Sequence, residues 1–207
     1  MIVTAHQPNY LPGQSVIDKL LVSDAIIWLD EVQYTKGGFT NRNRLPDASW
    51  LTVPVERGTD GEPINRVRIA EHGRWREKNV RSILQHYRHA TVLEDVVAEH
   101  YRPYGLLVGL NLALLRIVLD AHKGPPWFFQ SHLDGGHAVT AVSESAEELL
   151  PISERLAMMV AEVGGDCYLS GSSGRRYLDE KPFVDRGIKI EYYDHQGPNP
   201  CILELMS

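Results

Sequence analysis

The chain has 207 residues, with 21 Lys and Arg against 27 Asp and Glu, and a formal net charge of -6. That balance excludes a general nucleic-acid binder, which needs a basic field, and no apolar run is long enough to span a membrane: 106–119 is broken by Gly109, Asn111 and Arg116. A hydrophobic content of 43% and a charged content of 23% fit an ordinary globular protein, expected as one domain over 1–207. The two cysteines, Cys167 and Cys201, lack metal-binding spacing and no leader-like segment opens the chain. A reduced, cytoplasmic protein is therefore expected.

In chain order, Ile2-Val3-Thr4-Ala5 reads as a short buried strand ending in the polar run His6-Gln7-Pro8-Asn9-Tyr10. Ser15 to Val22 has a helical pattern. Ala25 to Leu29 is a second apolar strand, ending in Asp30-Glu31 and then Gln33-Tyr34. Strand, helix, strand within thirty residues makes a βαβ unit. Trp50 to Val55 reads as a strand closed by Pro54, and Ile64 to Ile69 alternates like a half-exposed strand. Three helices follow, over 75–89, 92–101 and 104–122, and form a helical segment at about 75–123. Trp127 to Gln130 is a strand. A helix is expected from about Ser143, kinked or divided at Pro151, to Val163, with Gly164-Gly165 ending it. Asp166 to Gly174 is a strand running into a small-residue turn, Arg175 to Leu178 is helical, Ile188 to Tyr193 is a strand, and 199–207 forms a terminal helical turn. The fold class is therefore α/β: an open, mixed or mostly parallel sheet with helices on both faces.

In open α/β sheets ligands bind beyond the carboxyl ends of the strands, and the polar clusters fall at such ends. His6 directly follows a strand, and a histidine titrates close enough to neutrality to take or give a proton. Gln7, Asn9 and Tyr10 beside it offer amide and phenol groups for orientation. The plainer alternative is a histidine satisfied by hydrogen bonds at a sheet end. Asp30 is the expected partner of His6 or anchor of an amine, against a helix cap or a surface charge. Asn41-Arg42-Asn43-Arg44, if extended, puts both arginines on one face, where their forks suit carboxylate or phosphate. Ser170-Gly171-Ser172-Ser173-Gly174 ahead of Arg175 and Arg176 has the form of an anion cradle. It is neither a P-loop nor a nucleophile elbow, and tight-turn chemistry alone explains many such runs. This block, through Tyr177, is expected at the same sheet edge as His6. Cys167 is expected in the core, and Cys201 with His195 is a weaker nucleophile pair.

AHQPNYLPG, LDEVQYTK, NRNR, WLTVPV, the helix opening near Trp75 and YLSGSSGRRYLD occur in that order over nearly the whole chain. On these blocks the chain resembles the WbqC-like family. The resemblance implies a bacterial cytoplasmic protein from O-antigen, surface-polysaccharide or natural-product biosynthesis, with acyl or aminoacyl transfer onto an amino group as the suggested activity. The chain departs from the family pattern at Gly13, where a Trp is usual, and in its C-terminal segment.

The leading expectation is a transferase moving an acyl or aminoacyl group from an activated donor to an amino group of a sugar or small metabolite. His6 and Asp30 are its catalytic candidates. Gln7, Asn9, Tyr10, Gln33, Tyr34, Asn41, Arg42, Asn43, Arg44, Ser170, Ser172, Arg176 and Tyr177 are its binding candidates. No metal or resident cofactor is expected. The donor is phosphopantetheine-linked or a nucleotide, and the partners are a small-molecule substrate and an acyl or aminoacyl carrier protein. The alternatives are a nucleotide-using, nucleotidylyltransferase-like enzyme and a non-catalytic binding protein of a biosynthetic cluster.

Overall fold

The structure is a computed structural model. It describes the backbone of residues 1–136, 139–143 and 146–205, and the side chains of 1–136 and 150–203. The elements are β1 (Ile2–His6), α1 (Gln14–Leu21), β2 (Ala25–Trp28), β3 (Arg42–Arg44), β4 (Trp50–Thr52), α2 (Trp75–His86), α3 (Leu93–Tyr101), α4 (Leu107–Ala121), β5 (Trp127–Phe129), β6 (Val139–Ser143), β7 (Ala146–Leu149), α5 (Ile152–Glu162), β8 (Cys167–Gly171), α6 (Lys181–Val184), β9 (Lys189–Tyr193) and α7 (Ile202–Leu205). Among the described residues no helix is long and apolar enough to cross a membrane.

The chain forms two compact units. Unit 1 comprises Met1–His6, Lys19–Glu31 and Pro125–Gln196. Its five-stranded sheet has the order β5-β2-β1-β8-β9, and every pairing in it is parallel. The fold is thus α/β, as the alternation of strands and helices predicts. β1 and β2 are β-branched and apolar, and β2 is buried along its whole length, the pattern of a parallel strand covered on both faces. Behind the sheet, Leu156, Ala157, Met159 and Val160 of α5 pack with Val3, Ala5, Ile27, Tyr168 and Phe183. Gly164, at φ +81°, and Gly165 end α5 as expected. A Cβ on Gly165 would lie 2.6 Å from Val3 Cγ2, so the helix end approaches the sheet closely.

Unit 2 comprises Gln7–Asp18, Val32–Gly124 and Gly197–Ser207. It holds the antiparallel pair β3–β4, with Arg42 opposite Thr52 and Arg44 opposite Trp50, and the helices α2, α3 and α4. The strand expected over Ile64 to Ile69 is corrected. Pro63 leads into a single 3-10 turn at Ile64–Arg66, and only isolated bridges, Val55 to Ile69 and Arg68 to Leu106, continue the extended chain. The helix expected from Ser143 is also corrected. Pro151 sits at the N-cap of α5, and the chain before it forms the antiparallel hairpin β6–β7. Residues 144 and 145 of that expected helix, and 206 and 207 of the terminal one, lie outside the described residues.

Candidate functional site

Because all five strands of the unit 1 sheet run in parallel, their carboxyl ends share one edge. The order runs outward from β1 through β2 to β5, then returns to β8 and β9 on the other side of β1. The switch point therefore lies between β1 and β8, where such sheets bind ligands. His6 closes β1 and pairs with Trp28. Ile2 is level with Cys167 and Val3 with Tyr168, and Thr4 Oγ1 donates to Leu169 O at 2.7 Å. Continuing that register brings His6 level with Gly171. The Ser170–Tyr177 block and His6 thus lie at the same edge on neighbouring strands.

His6 is half-buried. Burial, with the positive charge of Lys19 as a second cause, holds its imidazole well below the usual histidine range. The ring is therefore neutral at pH 7. Lys19 is a residue that the sequence pattern does not reveal. It is only 5% exposed, its Nζ donates to Ala5 O at 3.1 Å, and burial pushes its ammonium down to about 8. A buried amine next to a neutral histidine at a switch point is the perturbed pair that functional sites favour.

Asp30 is buried at the end of β2. Its Oδ1 accepts the Ser131 backbone N–H at 3.0 Å and its Oδ2 accepts the Ser131 hydroxyl at 2.6 Å. The carboxylate therefore fixes the turn that follows β5, and Ser131 joins the edge as a second residue missed in the sequence. A serine directly after the third apolar strand was its only signal. Below that turn Gly135 and Gly136 pack tightly. A Cβ on Gly136 would lie 2.1 Å from Gln130 O.

In the Ser170–Tyr177 block, Ser170 is buried and its Oγ donates to Gly171 O at 3.1 Å. Ser172, Arg176 and Tyr177 are exposed. Arg175 forms a two-pronged pair with Asp194, at 2.6 and 2.7 Å. Gly174 is required by Ser170, whose Oγ would meet a Cβ there at 2.1 Å.

The remaining candidates belong to unit 2. The Gln7–Gly13 loop is held from many sides. Asn111 Nδ2 donates to Pro8 O and Thr40 O at 2.6 and 2.7 Å, Tyr10 N donates to Thr40 O at 3.2 Å, and Asn43 Nδ2 donates to Leu11 O. Leu11 sits in the left-handed region at φ 43°, a conformation that persists in a non-glycine residue only when its surroundings impose it. Tyr10 is fully buried. Its hydroxyl bonds His100 Nε2 at 2.5 Å and accepts from Asn79 Nδ2 at 3.3 Å, which makes it a core residue of this unit. Asn9 is half-buried, and Gln33 is exposed at a bridge to Pro63.

The NRNR run is extended over Arg42–Arg44, the condition under which its two arginines share a face. Arg42 and Arg44 both lie over the Trp50 ring, with Cζ 3.9 and 4.9 Å from its centroid. Arg42 also donates to Gly37 O. A cleft of about 650 Å³ is lined by Tyr34, Asn41, Arg42 and Arg57 among others. Asn41 Oδ1 and Arg42 Nε are buried there without a hydrogen-bond partner among the described residues. Cys201 is buried, with Sγ 3.6 Å from Leu11 O; Cys167 lies in β8, where burial pushes its thiol up. Among the described residues no group of three or more His, Cys, Asp or Glu is placed to hold a metal ion.

Residues 7–200 match the WbqC-like protein family. The chain is similar to the uncharacterized protein Rv1507c of Mycobacterium tuberculosis (strain ATCC 25618 / H37Rv), at 30% identity over 197 residues, covering 92% of this chain and 81% of the relative. No solved structure gives a significant match.

Proposed function

The chain belongs to the WbqC-like protein family, and from that premise we propose that unit 1 catalyses transfer of an acyl or aminoacyl group from an activated donor to an amino group of a sugar or small metabolite. The observation that carries the reading is a neutral His6 at the carboxyl end of β1, beside the sheet's switch point, with the buried Lys19 next to it. In this reading the acceptor amine attacks the carbonyl of a thioester donor. The imidazole takes the proton that the nitrogen releases and returns it to the departing thiolate. Lys19 contributes a positive potential that favours an anionic donor, and Asp30 positions Ser131 at the same edge. In unit 2 Arg42 is proposed to bind an anionic group. Surface-polysaccharide or natural-product biosynthesis is the proposed context.

The test is thiol release from acyl-coenzyme A and acyl-carrier-protein thioesters offered with amino-sugar acceptors. His6→Ala is expected to lower turnover by about 100-fold or more while leaving the melting temperature in place. Equal turnover in the variant would remove His6 from the chemistry. A second reading, a nucleotide-using enzyme, draws support from the strand order, which is that of mononucleotide-binding sheets. It predicts thermal stabilisation of the protein by ATP or CTP with magnesium, and it is abandoned if neither nucleotide shifts the melt.

A further inference from the structure

The hairpin β3–β4 walls a second cleft of unit 2, of about 560 Å³, lined by Trp50, His72, Arg74, Trp75, Lys78 and Asn79 among others. No carboxylate is among its described lining residues. The first turn of α2, a twelve-residue helix, opens on it, and no side chain caps that terminus. An uncapped helix start presents backbone N–H groups and partial positive charge, which attract an anion. The exposed cations Arg74 and Lys78 reinforce that charge. Glu77 is the nearby acid of the first turn, and it meets Arg74 only at 3.9 Å across an exposed pair.

Two tryptophans give the cleft a second character. Trp50 is 38% exposed, and its ring is already flanked by the Arg42 and Arg44 guanidinium groups. Phe39 lies beside it, with ring centroids 6.1 Å apart, and the part of Trp50 that remains exposed lines the cleft. Trp75 is 8% exposed, and its indole Nε1–H is a buried donor without an acceptor. Buried donors normally have partners, and the residue that carries this unmatched one also lines the cationic cleft. We propose that this cleft binds a small phosphorylated molecule carrying a ring, with its phosphate at the start of α2 beside Lys78 and Arg74 and its ring against Trp50. A nucleotide and a sugar phosphate share this chemistry.

The experiment is calorimetric titration of the full chain with inorganic phosphate, adenosine monophosphate and glucose 1-phosphate. The ring-bearing ligand that belongs here binds about tenfold or more tightly than inorganic phosphate, because stacking on an aromatic face adds to the anion contact. Lys78→Ala, an exposed substitution that spares the core, weakens all binding by about tenfold. Trp50→Leu reduces the preferred ring-bearing ligand to the level of inorganic phosphate and leaves phosphate itself unchanged. Adenosine monophosphate winning over glucose 1-phosphate identifies a nucleotide site, and the reverse identifies a sugar-phosphate site. The proposal is overturned if none of the three binds below about 10 mM, if phosphate alone binds as well as both others, or if binding is indifferent to Lys78→Ala. The His6→Ala variant, whose substitution lies in unit 1, is expected to bind normally, so the outcome is independent of the transferase reading.

Discussion

Replacing Lys19 with methionine should stabilise the protein at neutral pH. The ammonium titrates near 8 in the folded chain against a reference of 10.5. At 1.36 kcal/mol per unit, that difference is a penalty of about 3 kcal/mol on the folded state wherever both states are protonated. The sign follows from proton counting. Below pH 8 the folded and unfolded chains both hold the proton and the penalty is complete. Between about 8 and 10.5 the unfolded chain keeps its proton while the folded chain has released it, so stability rises with pH. Lys19→Met removes the penalty and loses the bond to Ala5 O, which costs about 1 kcal/mol. The net gain is about 2 kcal/mol at pH 7, and it vanishes toward pH 10. Urea unfolding of wild type and variant at several pH values reads this directly, because groups common to both cancel in the difference. A variant less stable than wild type at pH 7, with a difference that does not change with pH, would refute the argument that Lys19 is held charged against its surroundings. A stabilising loss of a buried charge is the signature of a residue kept for function rather than for folding.

The same proton counting predicts acid sensitivity. Burial pushes His100 down to about 4 from 6.5, and the ring is fully enclosed. Folding stability therefore falls as pH drops from 6.5 to about 4, by about 3 kcal/mol from this residue, with His6 adding in the same direction. His100→Gln should flatten the melting temperature against pH in that window, and an unchanged slope would contradict it. Gly136→Ala, whose Cβ would collide with Gln130 O, should cost about 1–3 kcal/mol in urea unfolding; a midpoint equal to wild type would show that the turn after β5 yields.

The parts legible in the sequence were those with a strong period or a run of one kind. β1, β2 and β8 are apolar and partly β-branched, and their burial on both faces of a parallel sheet makes the run continuous. The end of α5 was legible because Gly164 supplies a left-handed residue. The β6–β7 hairpin was hidden because its segment is rich in Ala, Glu and Leu, residues that favour a helix, and tertiary context decides otherwise. Ile64 to Ile69 alternates, but alternation fixes a face and not a partner strand, and the partner is lacking but for isolated bridges. Lys19 was invisible for a geometric reason. It lies about 200° around α1 from the buried Ile17, on the side that periodicity assigns to solvent. Ser131 depended on a long-range pairing with Asp30 that no local pattern carries. The arginines of NRNR were readable as sharing a face, while the aromatic ring between them comes from the facing strand β4. The two units also cross several times along the chain, and no shift of composition marks those crossings.

The role of His6 as proton acceptor is tested most directly by the pH profile of thioester turnover in wild type and in His6→Ala. Wild-type turnover is expected to hold constant down through pH 6.5 and to fall only below it, because burial and Lys19 keep the imidazole neutral, and the variant is expected to be lower by about 100-fold or more across the range. A variant that turns over at the wild-type rate, or a wild type already losing half its activity at pH 6.5, would contradict it.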